Sequence, residues 1–160
     1  MRQGESSFGF VIRPFEAVDQ AVARRLILEG LGEHFGFIDE TLNPDIDDIT
    51  ANYIVAGHVF VVVQDRNDIV GTGALVFRGE GIGQMVRVSV RSDYRRRGIG
   101  KAVAEHLIGV ARQRGLRRLL VETNSDWYDA IGLYKRLGFV EYRRSAIGVC
   151  MVLDLSQLPG

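Results

Sequence analysis

Val86-Arg-Val-Ser-Val-Arg-Ser-Asp-Tyr-Arg-Arg-Arg-Gly-Ile-Gly-Lys101 reads as a strand, a short basic loop and the opening of a helix. The first-turn amides of such a helix have no intrahelical acceptor and carry about half a positive charge through the helix dipole, so together they attract an anion. Gly98 and Gly100 let a phosphate approach the backbone closely, because no Cβ intervenes. Arg95, Arg96, Arg97 and Lys101 add cations at the rim. A pyrophosphate is the natural occupant. A Walker loop is excluded by spacing, since Arg95 stands where its first glycine belongs and Ala102 where its hydroxyl belongs. A dinucleotide fingerprint starting at Gly98 meets Val103 instead of a small residue, but Glu122 at the end of the next strand keeps that alternative open. The bland alternative is a basic turn ahead of an ordinary helix.

Outward from this stretch the chain shows two styles. Upstream, residues 8–15 form a first strand, and Ala17, Val18, Ala21, Val22, Leu26, Ile27 and Leu28 predict an amphipathic helix that Gly30 and Gly32 stop. Asn43-Pro44 opens a second helix reaching Tyr53, because proline suits a first helical turn. Residues 59–63 are a buried strand, 66–68 a tight connection and 69–77 the returning strand; a turn over 79–83 leads into a third strand over 84–91. Downstream the pattern is βαβ. A helix over 98–115 carries Ile99, Val103, Leu107 and Val110 on one stripe, then come a strand over 116–123, a helix over 126–137 and closing strands over 139–142 and 146–155. An antiparallel meander feeding a parallel crossover is an α+β arrangement, here expected as a single domain over residues 1–160.

Composition narrows the function class. The 160 residues are 46% hydrophobic and 25% charged, as in folded domains. One cysteine, Cys150, excludes an internal disulfide and reads as a small hydrophobe in a strand. The N-terminus has no apolar leader, and nowhere do about 18 uncharged apolar residues run together, so neither export nor membrane insertion is expected and a cytoplasmic location is the default. His34, His58 and His106 have no mutual spacing that fits a metal site, so no metal is expected. Net charge is zero but uneven. Residues 26–65 hold no Lys or Arg, whereas residues 87–118 hold nine Arg and Lys101, so one half should attract cations and the other anions. The neutral sum and the confinement of arginines near one loop argue against nucleic acid as a partner.

A second segment decides the family resemblance. Arg95, Gly98 and Gly100 follow a Val-x-Val strand at Val88 and Val90, and Ala130-Ile-Gly-Leu-Tyr-Lys-Arg-Leu-Gly-Phe139 follows at a fitting distance. The pair resembles the two hallmark motifs of the GNAT (GCN5-related N-acetyltransferase) superfamily. The resemblance implies a mixed central sheet of six to seven strands flanked by about four helices. It implies acetyl-CoA as co-substrate and transfer of an acetyl group to a primary amine of a small molecule or peptide by direct attack in a ternary complex. By the same resemblance the backbone of Val88, Ser89 and Val90 pairs with the pantetheine arm, and amides from Arg96 to Lys101 hold the pyrophosphate. Tyr134 lies near the thioester sulfur and protonates the departing thiolate; a packed helix aromatic is the alternative for that residue. A homodimer through the closing strands is also implied.

Two positions depart from the pattern. Gln84 stands where many members carry a glutamate base on the fourth strand, and Trp127 stands where an asparagine often touches pantetheine. Without a base the weaker amine is the easier acceptor. A lysine-like amine costs about 4.6 kcal/mol to deprotonate at pH 7, an α-amine only about 1 kcal/mol. Glu122, or water leading to Asp39 or Glu40, remains open as a proton acceptor. An acyl-CoA sensor without turnover is the rival reading that Gln84 motivates. The acidic stretch over 30–57, with His34, Phe35, Phe37 and Tyr53, suits a cationic acceptor with an apolar body, or else a solvated loop whose aromatics serve the core.

Overall fold

A computed structural model describes residues 9–35 and 42–156. Seven strands form one mixed sheet in the order β1-β2-β3-β4-β5-β7-β6. In chain order they are β1 (Val11–Pro14), β2 (Val59–Asp65), β3 (Asp68–Gly79), β4 (Ile82–Val90), β5 (Arg118–Asn124), β6 (Val140–Arg144) and β7 (Gly148–Asp154). The helices are α1 (Gln20–Phe35), α2 (Ile99–Gln113) and α3 (Tyr128–Arg136), joined by an irregular helical segment made of a 3-10 turn over Pro44–Asp48 and a π-type turn over Thr50–Val55. The α+β class and the strand sequence agree with the sequence reading. Among the described residues, no helix is long and apolar enough to cross a membrane.

The chain divides into two compact units. The first comprises Met1–Ala74 and Arg87–Val103, the second Leu75–Val86 and Ala104–Gly160, so β3, β4 and α2 each contribute to both. In the first unit β1 runs antiparallel to β2 with Val11 opposite Gln64 and Pro14 opposite Val61. Phe60, Val62 and Val63 are almost wholly buried, each such side chain contributing about 1.5–3 kcal/mol of transfer free energy.

Helix α1 departs from expectation twice. It passes through Gly30 and Gly32 to end at Phe35. A Cβ on Gly30 would lie 3.0 Å from the Ser89 hydroxyl, so a glycine here lets the helix lie close to β4 despite a propensity cost of about 1 kcal/mol. The apolar stripe is also displaced. Ala23, Leu26, Ile27 and Leu28 are buried, whereas Val18 is 84% and Val22 50% exposed. The reason lies at the helix entry, where a 3-10 turn over Ala17–Asp19 shifts the phase and buries Asp19. Arg13 holds that carboxylate by two bonds of 2.8 and 2.9 Å.

Gly71 on β3 is crowded, because a Cβ there would stand 3.1 Å from Ile99 Cγ2 and 3.1 Å from Val63 Cγ2. Gly71→Ala is expected to destabilise by about 1–3 kcal/mol, as overpacking against β-branched neighbours does, read as a lower urea midpoint at unchanged m-value.

In the second unit β5 pairs antiparallel with β7 from Arg118 opposite Asp154 to Asn124 opposite Gly148, and β6 flanks β7 with a bulge between Glu141 and Arg143. The parallel β4–β5 ladder is short. It runs from Ile82 opposite Arg118 to Met85 opposite Val121 and stops, although β4 continues to Val90 and β5 to Asn124. Along α2 the predicted stripe is buried at Ile99, Val103 and Leu107 but only half-buried at Val110. Cys150 is buried, as a small hydrophobe should be.

Candidate functional site

The first unit contains the glycine loop. Arg95 leaves the 3-10 turn over Ser92–Tyr94 extended, Arg96 turns left-handed at φ 63°, and Gly98 does so again at φ 81°. The first hydrogen bond of α2 runs from the Ala102 N–H to the Gly98 carbonyl at 3.0 Å, which places the Ile99, Gly100 and Lys101 amides ahead of the helical ladder. A Cβ built on Gly98 meets nothing within 4 Å. The glycine therefore satisfies a backbone angle, and the space beside it is open. Those features fit a diphosphate held by backbone amides. The β4–β5 rungs run from Ile82 to Met85, and Val88, Ser89 and Val90 follow later on β4.

The four basic side chains of the loop are not equivalent. Arg95 Nη1 donates to Glu33 Oε2 on α1 at 2.6 Å. Arg97 lies over the Tyr94 ring at 4.6 Å, and Arg91 lies against the same ring at 4.7 Å. The Tyr94 hydroxyl donates to Asp65 at 2.7 Å. Arg96 and Lys101 have no hydrogen bond, ion pair or ring contact among the described residues, and both are exposed. The Tyr94–Asp65 bond and the Glu33 latch were not anticipated from the sequence, because their partners lie 29 and 62 residues away.

A second group in this unit sits on β4 beside Val88. Arg87, itself left-handed at φ 56°, donates to both Asp45 oxygens at 2.6 and 3.0 Å and to Asn43 at 3.2 Å. The Tyr53 hydroxyl donates to Asp45 at 2.6 Å, and its ring packs edge-on against Phe60. Two carboxylates of the acidic stretch, Asp45 and Glu33, thus pair with two guanidiniums of the arginine-rich stretch, Arg87 and Arg95. Tyr53 serves the core; Phe37, Asp39 and Glu40 lie outside the described residues, as do the side chains of His34 and Phe35.

Burial alone would raise the Asp45 pKa, but the bonds from Arg87 and Tyr53 outweigh it and the net shift is downward. Burial and the Asp45 bond push the Tyr53 hydroxyl up to about 12. A depressed carboxylate contributes stability that is full above its unfolded value, near 3.9, and is lost as pH falls through the folded value. Asp45→Asn is expected to cost about 1–3 kcal/mol at pH 7. The gap to wild type should begin to narrow in urea titrations below about pH 4 and close only once pH has fallen below the depressed folded value of Asp45.

The second unit contains the remaining candidates. Tyr134 on α3 is 6% exposed, with its ring edge-on to Phe139 at a centroid distance of 5.5 Å. Its hydroxyl makes no hydrogen bond among the described residues, and burial pushes its pKa up to about 12. The Gln84 side-chain oxygen accepts from Arg78 Nε at 3.0 Å and Nη2 at 2.8 Å, so the residue is neutral and tethered. Trp127 stands immediately before α3 as its N-cap. Among the described residues no three His, Cys, Asp or Glu side chains gather as a metal site would need.

This combination of glycine loop and short ladder agrees with comparison to known sequences. The family model described as Acetyltransferase (GNAT) family matches residues 25–139. The chain belongs to the GNAT acetyltransferase family. Human N-acetyltransferase 8B is 33% identical over 110 residues, covering 64% of this chain and 48% of that protein. N-acetyltransferase family 8 member 2 of Rattus norvegicus is 32% identical over 108 residues, again 64% and 48%. The chain thus spans about half the length of the curated relatives it matches. The GNAT fold is also found in solved structures. An acetyltransferase from Staphylococcus aureus superposes with TM-score 0.84 at 21% identity, covering 92% of this chain and 99% of the other. The PaiA N-acetyltransferase of Thermoplasma acidophilum, solved in complex with coenzyme A, superposes with TM-score 0.80 at 13% identity, covering 91% and 98%.

Proposed function

We propose that the chain transfers an acetyl group from acetyl-CoA to the primary amine of a small molecule or a peptide N-terminus, by direct attack while both substrates are bound. The supporting observation is the loop around Gly98, with open space at the glycine and helix amides ahead of the hydrogen-bond ladder. In this reading the amides from Arg96 to Lys101 hold the diphosphate, Arg96 and Lys101 supply the uncommitted cations, and the β4 backbone over Val88–Val90 aligns the donor arm. Acetyl-CoA supplies the thioester carbonyl; the remaining steps belong to side chains. Tyr134 remains protonated throughout the working range because its pKa stands near 12. Handing a proton to a thiolate of pKa about 8.5 is then roughly 5 kcal/mol uphill. Tyr134 therefore acts as a hydrogen-bond donor to the departing sulfur, transferring its proton only as the amine nitrogen loses one to it.

A peptide N-terminus is in keeping with one neighbour of the fold, the ribosomal-protein-S18-alanine N-acetyltransferase of Escherichia coli, which has TM-score 0.73 at 21% identity. An α-amine also asks least of a site whose Gln84 cannot take a proton. The test is release of free thiol from acetyl-CoA over a panel of amino acids, polyamines, aminoglycosides and peptide N-termini. Turnover with a primary amine supports the reading; none with any of them defeats it. The tethered Gln84 favours one second reading, an acyl-CoA sensor, which would bind coenzyme A in calorimetry and never release thiol.

A further inference from the structure

The glycine loop holds a backbone shape that its own residues do not favour. Arg96 is left-handed at φ 63°, a conformation that is costly for a residue with a Cβ and persists only where neighbouring contacts impose it. Gly98, two residues on, adopts φ 81° without that cost. We infer that Tyr94 is the positioning residue that imposes the Arg96 turn and so aims the Ile99, Gly100 and Lys101 amides at the donor, an inference that rests on the donor-binding part of the reading above.

Every group involved belongs to the first unit, and Tyr94 is fixed there in three ways. Its amide donates to the Arg91 carbonyl at 2.9 Å, closing the 3-10 turn over Ser92–Tyr94, and the Arg91 amide donates to the Val70 carbonyl of β3 at 2.8 Å. Its hydroxyl donates to Asp65 Oδ2, at the end of β2, at 2.7 Å. The Asp65 bond is the chief cause that raises the Tyr94 pKa, so the hydroxyl stays a donor at neutral pH. Phe10, just ahead of β1, meets the ring edge-on at a centroid distance of 5.8 Å. Backbone, hydroxyl and ring are each held by a different segment of the chain, which makes Tyr94 a fixed point ahead of the loop.

The loop closes back on that point. The Arg97 guanidinium lies over the Tyr94 ring at 4.6 Å, inside the roughly 6 Å over which a ring attracts a cation. Because Arg97 follows Tyr94 by three residues, this contact spans Arg95 and Arg96 and brings the two ends of the left-handed turn together. Arg91 lies over the same ring at 4.7 Å, and its charge is answered by Asp93 through bonds of 2.7 and 3.1 Å, which eases the repulsion between two guanidiniums at one ring. An exposed cation–π contact and the cost of a left-handed arginine are of the same order and opposite sign, so the clamp decides whether the turn is populated. A loop that had to find this shape on binding would lose donor affinity in proportion to the fraction of time it spends elsewhere. With Tyr94 in place, that fraction is small before the donor arrives.

Tyr94→Leu tests this in the whole chain, with coenzyme A as the calorimetric probe. The expected result is a dissociation constant raised by roughly tenfold, as when the competent loop is populated about one tenth of the time. In turnover with the best amine found by thiol release, KM for acetyl-CoA should rise in parallel while kcat stays within about twofold, because Tyr94 touches no reacting atom in this reading. Tyr94→Phe keeps a ring for Arg97 and should stay within about threefold of wild type. Limited trypsin digestion separates a positioning role from a general loss of stability. Without donor, cleavage of Tyr94→Leu after Arg95, Arg96 and Arg97 should quicken while other sites are cut at the wild-type rate, and saturating coenzyme A should restore protection. Wild-type affinity in Tyr94→Leu, or cleavage quickened equally at every site, would overturn the assignment. Should the leucine variant fail to fold, Arg97→Gln decides by the same digestion: faster cleavage after Arg95 and Arg96 supports the clamp, and wild-type rates there oppose it. Failure of the wild type itself to bind coenzyme A would instead sink the donor-binding reading.

Discussion

Gly98→Asp is expected to abolish measurable donor binding, raising the dissociation constant for acetyl-CoA by roughly 10²-fold or more. The residue is at φ 81° with open space where a Cβ would project, so aspartate fits sterically, and Asp tolerates a left-handed backbone better than most side chains. The folded state should therefore persist with a loss of about 1 kcal/mol. A carboxylate there would stand among the amides proposed to hold a diphosphate. At about 4 Å and an effective dielectric near 20, two like charges repel by about 4 kcal/mol. Gly98→Asn separates charge from bulk, because it has the same shape without the charge and should weaken binding far less. Calorimetry with coenzyme A reads both. Equal binding by wild type and the aspartate variant would show that the loop does not receive the phosphates.

Tyr134→Phe is the second large effect. The hydroxyl makes no hydrogen bond among the described residues, so its removal should leave the ring packed on Phe139 and the melting temperature within a few degrees. kcat should fall by roughly 10²-fold, the lower end of the range for acid catalysis, because a phenol raised to about 12 is a poor proton source and acts chiefly by donating a hydrogen bond. KM for acetyl-CoA should stay within about threefold, since a contact that strengthens only as charge develops on sulfur does not bind the ground state. Acceptors bearing an α-amine and an ε-amine should lose activity in equal proportion, for the missing contact faces the leaving group common to both. An undiminished kcat would mark Tyr134 as a packing residue.

Much of the fold was legible because its signals are local. Valine runs in β2 and β4, the glycines after Arg97 and the stripe on α2 each declare an element within a few residues. The phase of α1 was not legible. It is set by Asp19, whose burial depends on Arg13 from the preceding strand, and the passage of the helix through Gly30 depends on Ser89, 59 positions later. The site divides the same way. A loop of glycines and arginines shows that an anion can be held there, but which arginines are already occupied depends on Glu33 and Asp45, paired with Arg95 and Arg87 over 62 and 42 positions. The tether on Gln84 comes from Arg78, six residues earlier on the adjacent strand β3, and follows from the chain turning back on itself between them.

The prior engagement of Arg95 and Arg97 has a consequence for how the donor is held in solutions of different ionic strength. A loop presenting four mobile cations would draw a dense cloud of counter-anions, and each would have to be expelled by the ligand. With Arg95 neutralised by a carboxylate and Arg97 held against a ring, fewer mobile charges face the ligand, and fixed amide dipoles at contact distance carry a larger share of the attraction. Such short-range dipoles are shielded little by dissolved electrolyte, so affinity for the diphosphate should fall less steeply with salt than four unneutralised side chains would dictate.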